Sequence, residues 1–348
     1  MYNAKLLSLN MRLFFIFTLL FYSCQNTASE STKRSPFLKD TITKDSIAKL
    51  YCNTDYCSKV VGIVNPQNKI NENYVFDKDL YYLGIDTLAQ VTFWRDIMKL
   101  HQDSMLVNIA ASRKILHKIH VKSWNLKNDS IKNAYKDSIR LVKQLDTTQK
   151  IFLTAGKIFF YDFNRTSQYF DRGIHCFVQN GVDPWYAQAI LLIESPNKLQ
   201  KSNVGAYGPF QLMKDVARLF GLTVNKQIDE RADFERSAYA ASSLIKEICI
   251  PKTHHILDSL HISNQNENEL WFKLLVMHVY HAGYYNVEKA LFSFMPNQGN
   301  INLIYNLWHA SAAKFKNSSQ NYSQLILAAM LEMNERRNVF EKQNVAKK

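Results

Sequence analysis

Glycine and proline are scarce in this chain, ten and seven among 348 residues. Folds made of many short strands need both residues at their corners, so a turn-rich β architecture is disfavoured and helices are expected. No internal repeat is visible. Long apolar stretches are missing too. The conspicuous run, Leu13 to Tyr22, has ten residues and is interrupted by Thr18, well short of the roughly 20 that cross a bilayer as a helix. The Cys-x2-Cys spacing of a zinc finger is also absent. What is present is enough apolar and aromatic side chain, 47% and 13%, to fill a core, which excludes bulk disorder.

The short apolar run has the layout of an export signal. Lys5 and Arg12 precede it, and it ends in Phe21-Tyr22-Ser23-Cys24 followed by polar Gln25-Asn26-Thr27. This resembles a bacterial lipoprotein signal, whose cysteine is acylated and becomes the new N-terminus. By that resemblance residues 1–23 are removed and Cys24 carries a lipid anchor in the membrane. Ser23 fits cleavage, whereas Tyr22 is bulkier than the pattern. A plain secretory signal with an incidental cysteine is the other reading, and Met11 is an alternative start. Gln25 stands where an aspartate signals inner-membrane retention in some bacteria, so an outer-membrane anchor facing the periplasm is expected. Four cysteines then remain, Cys52, Cys57, Cys176 and Cys249, an even number suited to disulfides in an oxidising compartment. Cys52 with Cys57 would close a small loop and Cys176 with Cys249 would clamp the segment between them, although four cysteines allow three pairings.

The formal net charge is +13, and dropping Lys5 and Arg12 with the signal leaves +11. Such a charge suits an anionic polymer or a membrane surface, or else is a solvated basic face. Nucleic acid is not an expected partner of an exported chain. Residues 24–45 are rich in Ser, Thr and Lys and read as a flexible tether. Residues 46–165 read as a helical N-terminal region. Within it Val91, Trp94, Ile97, Met98 and His101 recur at helical steps, Leu106, Ile109, Ala110, Arg113 and Leu116 continue them, and a further helix covers 129–144. Residues 166–340 read as a second, mostly α domain. Its helices are expected at 168–179, from Pro184 to Glu194, and at 216–220, 234–248, 269–281, 287–294 and 322–336. Asp183-Pro184 is an N-cap followed by proline at the first helical position.

Glu194 follows Ala189-Ile190-Leu191-Leu192-Ile193, so its carboxyl ends a largely buried helix, where desolvation raises a carboxyl pKa. Alone this carries little weight, since a Glu at a helix end is usually a surface residue. After Glu194-Ser195, however, come Ser202 and then Gly205-Ala206-Tyr207-Gly208-Pro209-Phe210-Gln211-Leu212-Met213. Two glycines let a backbone approach a sugar closely, and Gln211 offers a donor and an acceptor for hydroxyl or acetamido groups. No Asp or Glu lies between Glu194 and Asp215, so the two flanking carboxylates that most glycosidases use are not apparent locally. A distant acid brought near by folding is the alternative.

These residues resemble the Glu-Ser…Ser-x-x-Gly-Ala-x-Gly-x-x-Gln-x-Met signature of the soluble lytic transglycosylase family, which is related to goose-type lysozyme. Gly221-Leu222-Thr223-Val224-Asn225 and Asp229-Glu230-Arg231 resemble the following segment in relatives of membrane-bound lytic transglycosylase D. Tyr280-His281-Ala282-Gly283 is similar to that family's Tyr-Asn-Ala-Gly motif. The resemblance implies a mainly α, lysozyme-like catalytic domain with a helical N-terminal extension. It makes Glu194 the single catalytic acid, with Ser202, Gly205, Ala206, Gln211, Met213 and Tyr280 around the sugar subsites and Tyr280 hydrogen-bonding near Glu194. It also implies peptidoglycan glycan strands as substrate, cut between MurNAc and GlcNAc to leave a 1,6-anhydro end in cell-wall remodelling, with no metal or cofactor. A hydrolytic lysozyme using water, or a non-catalytic glycan-binding envelope protein, are the alternatives.

Three departures stand out. Lys214 replaces proline after Gln-x-Met, and His281 replaces asparagine, as either a substrate contact or a structural histidine. The Pro-x-Glu-Thr-x-x-Tyr stretch is missing beyond Pro296, with Trp308 or Tyr305 as substitutes for the far groove wall. His254, Asp258 and His261 would share a helix face but match no metal motif, which leaves a solvated face as the reading. Phe159-Phe160-Tyr161-Asp162-Phe163 is read as core rather than a sugar platform.

Overall fold

The computed structural model describes residues 60–65, 70–194 and 201–345. The export signal, the tether, Cys24, Cys52, Cys57 and Ser195 lie outside them. Strands β1 (Val60–Asn65) and β2 (Ile70–Val75) pair antiparallel and lead through α1 (Asp79–Tyr82) to α2 (Ala89–Lys99). Strands β3 (Ser104–Ile109), β4 (Ile115–His120) and β5 (Ile151–Ala155) form a second antiparallel sheet in the order β4-β3-β5. Helices α3 (Val121–Asn125) and α4 (Asp129–Val142) connect β4 to β5. From there the chain is helical: α5 (Phe163–Ser167), α6 (Phe170–Gln179), α7 (Pro184–Glu194), α8 (Lys214–Leu219), α9 (Phe234–Leu244), α10 (Ile250–Ser259), α11 (Leu270–Ala282), α12 (Tyr284–Phe292), α13 (Ile301–Leu307) and α14 (Asn317–Val345). The architecture is mainly helical, as expected. Among the described residues, no helix is long and apolar enough to cross a membrane.

The stretch after Leu106 corrects the sequence reading: it is a hairpin and not a continued helix. All six residues of β3 are buried, because the strand is central in its sheet. A strand buried on both faces loses its polar alternation, and its apolar residues then fit a helical spacing equally well. Val107, Ile109, Ile139 and Ile151 form a small core between this sheet and α4.

Helix α7 is the axis of the other part. Every residue from Pro184 to Ile193 is buried, which is the mark of a helix packed on all sides. Gln188 lies inside and holds β2 like a neighbouring strand: Val75 N–H donates to its Oε1 at 2.6 Å, and its Nε2 donates to Val75 O at 2.9 Å. Helix α14 packs along α2, α7 and α11. Trp94 Nε1 donates to Gln324 Oε1 at 3.0 Å, and Arg95 and Lys99 both reach Glu332, at 2.7 and 3.0 Å. Its buried side is apolar from Ile326 to Leu331 but carries Ser319, Asn321, Ser323 and Gln324 before that stretch and Glu332 and Asn334 after it, so no clean apolar stripe marks its full length. The expected helix at 322–336 therefore captured only its middle.

Cys176 and Cys249 do not clamp anything. Both are free, buried thiols. Burial among apolar side chains pushes the Cys176 thiol up to about 12 and Cys249 higher still, so both are unreactive.

Candidate active site

At the start of α7 the Asp183 carboxylate accepts from Trp185 N–H at 2.9 Å, the expected cap. Lys273 Nζ holds the same carboxylate at 2.8 Å in a buried ion pair. At the other end, Glu194 is the first residue after ten buried ones to regain contact with solvent. Burial of its carboxyl pushes the pKa from 4.5 to about 7, and the Tyr322 O–H, donating to Oε1 at 3.4 Å, opposes part of that rise. Among the described residues no other carboxylate acts on this group. The six residues that follow, Ser195 to Gln200, contain no Asp or Glu.

Three phenols face Glu194 closely enough to feel its charge: Tyr161, Tyr280 and Tyr322. Burial pushes each of them upward, so all stay protonated and able to donate. The Tyr280 hydroxyl donates to Phe210 O at 2.6 Å and so ties α11 to the loop ahead of α8. The partner that hydrogen-bonds Glu194 is instead Tyr322, on whose ring the exposed His281 stacks at 4.1 Å. Behind the pair a single π-helical turn, Ile245–Cys249, joins α9 to α10. Its Cys249 lies near both Tyr280 and Tyr322.

The loop 201–213 is a built object. Ser202 Oγ accepts from Ala206 N–H at 2.9 Å, which leaves its own O–H available to a ligand. Tyr207 and Leu212 exchange two backbone hydrogen bonds of 3.0 Å, and Phe210 anchors the tip by packing on Phe177 and Phe234. Gln211 adopts a left-handed backbone, φ 47°, and its Nε2 donates to Gly208 O at 3.0 Å. Met213 and Gly205 are exposed and Ala206 is buried. The two glycines differ. Among the described residues a Cβ on Gly205 would meet nothing within 4 Å, which leaves its face open to a sugar. A Cβ on Gly208 would lie 1.8 Å from Arg231 O, so this glycine admits the protein's own backbone rather than a substrate.

Arg231 is the residue whose role went unread. Its buried guanidinium donates to Gly205 O and Leu212 O, both at 2.9 Å, while Asp229 takes its other edge in two bonds of 2.8 Å. The Asp229-Glu230-Arg231 motif was visible in the sequence, but only folding brings it against the loop. Tyr322 and Tyr161 carried weaker signals, one opening a helix and the other inside an aromatic run. That run divides: Tyr161 and Phe163 are buried, whereas Phe159 and Phe160 are exposed. Trp308 is not a groove wall, since it is buried with Nε1 donating to Ser323 Oγ at 2.8 Å. His254 sits on a real helix, α10, with Pro251 in its first turn, and is hydrogen-bonded to Gln265 and Glu267. Among the described residues no group of three or more His, Cys, Asp or Glu is placed to hold a metal.

Residues 177–293 match the Transglycosylase SLT domain. The matched stretch runs from α6 to the end of α12 and contains Glu194, the 201–213 loop, Arg231 and Tyr280. Two of the three phenols around Glu194, Tyr161 and Tyr322, come from outside it. No curated protein and no solved structure matches the chain. The SLT domain supports a transglycosylase acting on peptidoglycan.

Proposed function

We propose that the protein is a lytic transglycosylase that cuts the β-1,4 bond between MurNAc and GlcNAc and leaves a 1,6-anhydro-MurNAc end. The observation that carries this reading is the isolated Glu194, raised to about 7 by burial and therefore protonated in a large fraction of molecules near neutrality. A protonated carboxyl donates to the glycosidic oxygen as the bond to the anomeric carbon breaks. The resulting carboxylate then takes the proton of the MurNAc 6-hydroxyl, whose oxygen closes onto the same anomeric carbon. The acid is regenerated and no water is consumed. A nucleophile within the substrate acts at high effective concentration, so the second carboxylate of ordinary glycosidases is not required. Tyr322 steadies the carboxylate during its charged interval, and Gly205 and Gln211 offer the sugar an open backbone face and an amide.

The likeness of residues 221–231 to transglycosylase D relatives, the lipid on Cys24, an outer-membrane location facing the periplasm and a role in wall remodelling belong to the same proposal and rest on the sequence. The test is the mass of muropeptides released from purified murein. Products lighter by one water than hydrolytic ones support the reading; reducing ends of full mass, or release unchanged in Glu194→Gln, reject it.

A further inference from the structure

A second buried ionisable group without a counter-charge among the described residues sits away from Glu194. Arg113 lies in the β3–β4 turn at φ 58°, a left-handed backbone that an arginine adopts only under constraint. Its side chain is 4% exposed and its guanidinium lies within about 5.5 Å of the Phe93, Trp94 and Phe152 rings. Nη2 donates to Asn317 Oδ1 at 3.0 Å and to Asn321 Oδ1 at 2.6 Å. Among the described residues no carboxylate pairs with it, and burial alone pulls its pKa down to about 10. A buried guanidinium without a counter-charge is costly unless an anion visits it.

Arg113 lines an open pocket of about 580 Å³, within the size range of ligand sites. Lys136 and Lys157 also line it, with Trp94 and Trp124, and none of the described lining residues is Asp or Glu. The pocket follows β5 along its whole length. Among the described residues that strand pairs with β3 alone, and the Gly156-to-Ser104 and Ala110-to-Lys150 bonds fix which of its residues face β3. The backbone groups of Ile151, Leu153 and Ala155 consequently point to the open edge. Phe152 faces Arg113, while Ile151 and Leu153 face α4, which carries Lys136. The cations therefore stand on both faces of one edge strand instead of converging on a point, an arrangement suited to a chain and not to a compact ion.

We propose that this pocket binds an extended peptide bearing carboxylates, which adds to the open edge of β5 and sets its acidic groups against Arg113 on one face and Lys136 on the other. Main-chain pairing supplies affinity and the cations supply selectivity. The test is calorimetry on the full chain with a synthetic Glu-containing tetrapeptide, its Gln counterpart with an amidated C-terminus, a version N-methylated at alternate residues, and inorganic phosphate. The acidic peptide is expected to bind, with the Gln and N-methyl versions at least about tenfold weaker. Lys136→Glu, at a half-buried helix position, is expected to weaken binding about fivefold with an unchanged unfolding midpoint, and Arg113→Gln about thirtyfold. Should Arg113→Gln fail to fold, Lys136→Glu decides the matter. No binding, equal binding of the Gln or N-methyl peptide, displacement by phosphate at comparable concentration, or indifference to Lys136→Glu overturns the proposal.

Discussion

Two adjacent residues of α14 touch two lone buried charges: Asn321 meets Arg113 and Tyr322 meets Glu194. The carboxyl has an escape, because it takes up a proton and so keeps a titrating state near pH 7. The guanidinium has none at physiological pH, so amide oxygens and ring faces must accommodate its charge. Isolation therefore makes the acid reactive and the base a fixed receptor. The difference lies in the chemistry of the groups, since neither finds a counter-charge among the described residues.

Removing the acid is expected to have the largest effect. Glu194→Gln should lower murein release by about 10²–10⁴-fold while leaving the fold intact. The same variant should be more stable than the parent at high pH. The folded carboxyl titrates at about 7 and the unfolded one near 4.5. The unfolded chain thus releases its proton first, and stability falls as pH rises from about 4.5 to about 7 by up to about 3 kcal/mol. Denaturant melts at pH 4 and pH 8 should show this loss in the parent and not in Glu194→Gln; a parallel loss in both would detach the raised pKa from this residue.

Gly208→Ala comes next, because its methyl would press on Arg231 O from a left-handed backbone, and a loss of about 3 kcal/mol is expected by the same melts. Gly205→Ala meets nothing among the described residues and should cost less, about 1 kcal/mol of backbone strain. Activity of the parent should drop about tenfold per pH unit above about 7, the limb of the single acid. Tyr322→Phe removes a bond to the carboxylate form, so that limb should move to higher pH by less than about one unit. The smallest test concerns the thiols. Alkylation of the unfolded chain without reductant should modify both Cys176 and Cys249, and protection of either would restore the clamp.

The same contrast between parts governs what the sequence reveals. Glu194, its capped helix and the glycine loop are local patterns, each within a dozen residues, and they are legible. Helices with one wet face lie within a few residues of their expected places, as with α4 and α12. The sheet escaped because β3 is buried on both faces, and the start of α14 escaped because its first buried turns bond through Asn321, Ser323 and Gln324. Arg231, Tyr161 and Tyr322 acquire meaning only through contacts between distant segments: Tyr322 stands 128 positions from Glu194. The pairing of Cys176 with Cys249 failed for a related reason, since an even count of thiols says nothing of whether apolar packing has already claimed them.

Helix α7 ends at Glu194, and the peptide dipoles of its buried turns point their negative ends toward that residue. With no solvent face to screen them, this field adds to desolvation in favouring the proton on the acid. The helix thus acts as an electrode whose polarity is set by chain direction alone, and dissolved salt, confined to the outside, should leave the pH limb of the reaction nearly unmoved.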